Sequence, residues 1–223
     1  MLRFLYLIPF WEIYFGKKSK SFFENILLKR SMYDNNFKKG FFTFKKTKQP
    51  TLNSILEQDE EVLFSKINKK FRNEIRQFSK IINFDKDINF EIEYDINEDY
   101  KYFLLKNFRG QKPNISKLKR FSNKKMLLIF SIKYNNEYQT SLIWLKRFRQ
   151  SRLIYNVLDH QSLKKNKLSS SNKYIMYQSI LKMSRDGFKE IDLGGISNND
   201  NNIDRFKKGF SKEKKYTYNY FYF

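Results

Sequence analysis

The chain has no cysteine, one histidine, three prolines and seven glycines in 223 residues. Without cysteine it forms no disulfide, offers no thiolate nucleophile and ligates no zinc or iron–sulfur centre through sulfur. A single imidazole, His160, rules out any site that needs two of them. No glycine-rich phosphate loop occurs, which argues against a nucleoside triphosphatase or a Rossmann cofactor site. No metal centre is expected. Long apolar runs are also missing. Residues 1–15 are apolar and aromatic, but Arg3, Pro9 and Glu12 interrupt them. The stretch falls short of the roughly 20 residues that span a bilayer. It lacks the small-residue cleavage site of a secretory signal. Burial in the protein's own core is expected, with a membrane-surface position as the alternative. Trp11 and the run Lys17-Lys18-Ser19-Lys20 would suit an interface.

Acidic residues are scarce beside basic ones, 23 against 45, giving a formal charge of +22. Such an excess attracts polyanions: nucleic acid, anionic membrane, or phosphorylated and nucleotide-linked substrates. Lys, Asn, Ile, Phe and Tyr are all abundant, as AT-rich codons would give, and this accounts for part of the excess. Apolar residues make up 40% and aromatics 18%, enough to build a core and to exclude a disordered chain.

Periodicity divides the chain into elements. Residues 41–44, Phe-Phe-Thr-Phe, read as a short strand, and 50–54 as a break before a helix. Leu63, Ile67, Phe71, Ile75, Phe78 and Ile82 recur at helical spacing, so one buried helical face is expected over 56–82. Residues 90–94 alternate as a strand, 97–108 suit a helix capped by Asn97, and a weaker helix follows to 121. The clearest β signal is three runs, 126–134, 138–146 and 152–158, joined by short polar connections into an antiparallel meander. A helix capped by Ser170 or Ser171 then presents Tyr174, Tyr177, Gln178, Leu181 and Ser184, and stops at Gly187. Strands at 188–193 and 216–223 close the chain. The expected fold is mixed α/β: one largely antiparallel sheet flanked by helices. Residues 1–40 are expected to pack as a lead segment on a domain of residues 41–223.

Three constellations carry candidate chemistry. Arg72 and Arg76 lie one turn apart on a helix and can fork a phosphate or carboxylate; a solvated face pairing with Glu74 is the plainer account. Asp192 ends an apolar strand before Gly194 and Gly195, where the backbone can turn sharply or approach a ligand. An aspartate at such a point also commonly caps its own turn. Phe206 and Lys207 can offer a ring face and a fixed cation. Alternatively Phe206 and Phe210, four apart, are core residues with the lysines in water. The serines 169–171 can meet a phosphate at a helix start or simply cap it.

The order helix, strand, Asp192-Leu193-Gly194-Gly195, polar loop and Phe206-Lys207-x-x-Phe210 resembles the Fem-type (FemAB-like) peptidoglycan-bridge aminoacyltransferases and their GNAT-fold acyltransferase relatives. Residues 41–44 resemble that family's first strand, and Phe71-Arg72-Asn73-Glu74-Ile75-Arg76 its Arg-x-x-Ile-Arg helix. The resemblance implies a GNAT-like fold and transfer of an acyl or aminoacyl group to an amine. It implies Lys207 and Asp192 as catalytic, with Phe206, Gly194, Gly195 and Phe210 at the donor and Arg72 and Arg76 at the acceptor or its phosphates. No tightly bound cofactor is implied; the donor is acyl-CoA or aminoacyl-tRNA as co-substrate. The coenzyme A loop Arg/Gln-x-x-Gly-x-Gly is replaced by residues 164–171, which contain no glycine. Fem-type chains usually carry two such units, and this one has room for little more than one. The implied acceptor is an amine on a nucleotide- or lipid-linked sugar or another cell-envelope precursor. The implied location is cytoplasmic, with peripheral contact at the inner membrane face. Two rivals predict different behaviour: a basic RNA-binding protein, and a non-catalytic transferase unit at the membrane surface.

Overall fold

The computed structural model describes residues 14–15, 30–32, 43–108, 113–147, 149–196 and 201–222. The strands are β1 (Tyr14–Phe15), β2 (Arg30–Met32), β3 (Thr43–Ile55), β4 (Ile88–Glu93), β5 (Leu127–Tyr134), β6 (Glu137–Arg147), β7 (Gln150–Leu158), β8 (Glu190–Gly195) and β9 (Glu213–Tyr222). The helices are α1 (Glu60–Lys66), α2 (Lys69–Phe84), α3 (Glu98–Asn107), α4 (Ile115–Asn123), α5 (His160–Lys165), α6 (Ser171–Arg185) and α7 (Asn202–Lys208). The mixed, largely antiparallel architecture is the one the sequence leads to. Two compact units result: Met1–Asn53 with Leu193–Lys208 and Lys212–Phe223, and Ser54–Asp192 with Gly209–Ser211.

The larger unit carries the meander. β4 through β7 pair antiparallel in order, and β7 pairs β8 in parallel. Asn135 and Asn136 both hold positive φ, 50° and 63°, between Tyr134 and Glu137. That is the two-residue hairpin geometry that asparagine tolerates best among side-chain-bearing residues. Neighbouring residues on a strand point to opposite faces. Phe130 of β5 stacks with Phe90, whose ring meets Tyr174 of α6. Ser131 therefore faces the other way, opposite Ser141, whose hydroxyl lies 2.6 Å from that of Tyr100 in α3. So α6, with α1 and α2 packed on it, covers one face and α3 the other.

In the larger unit three local expectations change. The helical stripe over 56–82 is two helices, because Ile67 is extended and Asn68 caps α2 through its side chain to the Lys70 N–H, 2.9 Å. Asparagine competes well for that position, and Leu63 and Ile67 stay buried across the break. Helix α6 has no single buried stripe: Ile175, Met176, Ser179, Ile180 and Met183 are buried alongside Tyr177, Leu181 and Ser184. Ser170 stands at its cap position but makes no side-chain capping bond.

In the smaller unit β3 runs antiparallel to β9 from Thr43↔Tyr222 to Asn53↔Glu213, and β9 continues to β2. Pro50 does not end β3 as its sequence suggested. It sits opposite Tyr216, and its carbonyl accepts the Ile196 N–H at 3.0 Å. The boundary expected at residue 40, the basic run at 17–20, and Phe41 and Phe42 of the expected first strand lie outside the described residues. Among the described residues no helix is long and apolar enough to cross a membrane.

Candidate functional site

In the smaller unit the end of β8 meets α7. Gly194 has φ +88°, a backbone state that costs a side-chain-bearing residue roughly 1–2 kcal/mol. Lys207 Nζ donates to the Gly195 carbonyl at 2.6 Å. The doublet and the lysine, distant in sequence, thus form one hydrogen-bonded group with a cation fixed beside a glycine turn. Phe206 is half-buried on the same helix. Helix α7 starts on the Asn201 side chain, which accepts the Asp204 N–H at 2.9 Å.

In the larger unit the expected residues are separately engaged. Asp192, 1% exposed, faces Arg152 across the parallel β7–β8 pair, with Nη1 and Oδ2 3.1 Å apart. Sequence reasoning missed Arg152; the only signal was a cation inside an apolar strand. Phe210, 2% exposed, packs its ring on Phe71 at 5.4 Å, so core packing describes it. Arg72 donates to the Ser65 carbonyl at 2.6 Å, and the Arg76 guanidinium lies 5.0 Å from the Phe64 ring centre. Both arginines therefore tie α2 to the end of α1. Glu74, their expected partner, pairs with Lys173 instead.

A second feature of this unit lies at the end of the β7–β8 ladder, which stops at Arg152↔Asp192. A register shift against β6 between Ile143 and Trp144 bulges β7 at that level. The Trp144 indole N–H and the Asn156 side-chain carbonyl are buried there without a hydrogen-bond partner. At the start of α6 the Ser171 hydroxyl and the Asn172 side-chain carbonyl are likewise buried and unpartnered. Ser171 is wholly inaccessible. Buried polar atoms in folded proteins are nearly always paired, with protein, water or ligand. A helix start also carries positive potential, although at α6 the Ser171 and Lys173 N–H groups already donate to the Leu168 and Ser170 carbonyls.

Comparison with solved structures finds the same fold elsewhere. The chain shares its fold with FemX. It is 11% identical to that protein at a TM-score of 0.59, over 76% of this chain and 61% of FemX. L-PGS from Bacillus licheniformis matches at 10% identity and TM-score 0.56, covering 87% of this chain and 67% of that one. So does the C-terminal DUF2156 domain of an Agrobacterium fabrum protein assigned as a lysylphosphatidylglycerol synthetase, at 10% identity and TM-score 0.52, covering 78% and 60%. The chain spans about three-fifths of the length of FemX. No protein-family profile matches it, and no curated protein matches it in sequence.

Proposed function

We propose that the chain is an acyl- or aminoacyltransferase that moves its group from acyl-CoA or aminoacyl-tRNA to an amine of a cell-envelope precursor. The observation that carries this reading is the Lys207–Gly195 bond, which sets a cation at the glycine turn of a fold shared with FemX. The chemistry needs little else. The acceptor amine attacks the donor carbonyl carbon, the carbonyl oxygen gains charge, and the ester or thioester bond breaks as the leaving oxygen or sulfur departs. Lys207 is assigned to that developing oxyanion, where a fixed cation lowers the barrier more than it favours the ground state. Held by the Gly195 carbonyl, it need not reorganise as the charge appears. Gly194 and Gly195 let the backbone come close to the donor, and Phe206 offers a ring for it.

In the other unit the start of α6, with Ser171 and Asn172 buried there, is a separate polar feature to which no step of the transfer is assigned. Arg152 neutralises Asp192, which we assign to holding the strand end rather than to taking the amine proton. Water then accepts that proton. Arg72 and Arg76, both engaged with the end of α1, support the helix pair rather than the acceptor. No resident cofactor enters the scheme, and the location that fits is cytoplasmic, at the inner face of the membrane.

The test is a transfer screen with acetyl-CoA, longer acyl-CoA and aminoacyl-tRNA as donors and UDP-amino sugars as acceptors. Product from one donor, with Lys207→Ala folded but about 10²–10³ slower, is the expected result. Full activity in Lys207→Ala would remove the assigned role.

A further inference from the structure

Between β4 and β5 the chain inserts α3 and α4. Residues 97–125 hold nine Lys and Arg against two acidic residues, where the whole chain holds 45 against 23. The basic excess is therefore concentrated in this insertion. Helix α3 buries Tyr100, Phe103 and Leu104 on the sheet and turns Tyr102 and Leu105 outward, 69% and 39% exposed. Glu98 precedes Tyr102 by one turn on that outer face and bridges Lys101 and, across to α4, Lys119 at 3.3 Å. Lys119 and its helix thus border the strip that Tyr102 and Leu105 form. Lys106 lies 5.9 Å from the centre of the Tyr102 ring. Tyr94, 51% exposed, adjoins α4 because its carbonyl accepts the Ser122 hydroxyl at 2.9 Å, and Lys146 lies 5.6 Å from its ring centre. Asp95, next to Tyr94 in the chain, accepts from the Ser122 hydroxyl and the Ile96 N–H; Asp99 shares the first turn of α3 with Glu98.

We propose that the α3–α4 insertion docks the protein on an anionic lipid bilayer. Tyr94, Tyr102 and Leu105 enter the headgroup layer, and Lys106, Lys119 and Arg120 meet the lipid phosphates. Tyrosine and lysine are the residues that settle at such a boundary, each with an apolar body and a polar tip. Leu105 decides between lipid and nucleic acid. An aliphatic chain gains by leaving water in the headgroup layer, whereas a single-stranded nucleic acid rewards ring faces and cations. The docking surface lies in the larger unit alone and does not depend on the transferase reading.

The experiment is co-sedimentation of the full chain with vesicles of phosphatidylglycerol in phosphatidylcholine, against phosphatidylcholine alone. Binding to the anionic vesicles only is expected, weakening as salt rises. A basic side chain at such a surface is worth about fivefold in affinity. Lys106→Glu/Lys119→Glu/Arg120→Glu should therefore bind at least about a hundredfold more weakly. Tyr102→Ala/Leu105→Ala should weaken binding while leaving its salt dependence unchanged. If the triple reversal does not fold, Lys106→Gln/Arg120→Gln puts the same question with about a 25-fold loss. Equal binding to neutral vesicles would overturn the proposal. So would wild-type vesicle affinity in the folded charge variant, or, in a parallel RNA-binding measurement, a loss confined to RNA.

Discussion

Lys207 and Arg152 are both cations held beside the Asp-Leu-Gly-Gly segment, and they hold it by different physics. Lys207 gives one of its three ammonium hydrogens to a backbone carbonyl. Removing it should alter rate before stability, because the residue is only half-buried. Arg152 is buried against a carboxylate that is 1% exposed. Taking away one partner strands the other charge in a medium that solvates it poorly. Arg152→Met is therefore expected to lower unfolding free energy by about 3–5 kcal/mol. Arg152→Met/Asp192→Leu should recover most of that loss in urea unfolding, and a double variant no better than the single would contradict the pairing. Gly194 was legible in the sequence, since a glycine doublet after an apolar strand signals a turn only glycine takes easily. Arg152 was not, because no local pattern says which carboxylate a strand cation meets 40 positions away.

At the level of elements, the helix and strand types were readable, and the errors came where tertiary packing overrode a local preference. Pro50 reads as a breaker but serves within β3, where its carbonyl rather than an N–H takes part in pairing. The stripe from Leu63 to Ile82 hid a cap at Asn68, since burial of Ile67 keeps the apolar spacing intact across the break. Gly209 closes that junction from a distant segment. The Asn68 N–H donates to its carbonyl at 2.9 Å, and a Cβ there would sit 2.0 Å from the Phe71 ring. That ring also packs on Phe210, with centres 5.4 Å apart. Gly209→Ala should cost about 1–3 kcal/mol as overpacking, with Phe71→Leu in the same chain restoring part of the melting temperature. An unchanged melting temperature in Gly209→Ala would show the ring free to move.

For the whole molecule, burial of tyrosines makes stability fall at alkaline pH, and an exposed aspartate held by hydrogen bonds adds a small dependence at acid pH. Burial pushes the Tyr100 phenol far above its ordinary value. Burial, and then a 2.8 Å bond to Glu60, does the same for Tyr177. Folding therefore favours the neutral phenols. Their contribution is complete below pH 10.0 and is lost as pH rises beyond it. Tyr177→Phe should flatten that alkaline decline in a melting-temperature series; an unchanged slope would exclude Tyr177 as a cause. Asp95 is lowered, first by the Ser122 hydroxyl and then by the Ile96 N–H. Its contribution is present above pH 3.8 and fades as pH falls below it.

The fold was legible in the order of elements even though sequence identity to FemX is only 11%. What the sequence left open is what fold alone never carries: donor, acceptor and the proton's path. The measurement that bears most directly on the central claim is product formation by wild type and Lys207→Ala across the three donor classes. Transfer from one donor, reduced about 10²–10³-fold in a variant that melts like wild type, is the predicted result. Folded protein that transfers from none of them, or a variant as fast as wild type, would contradict the account.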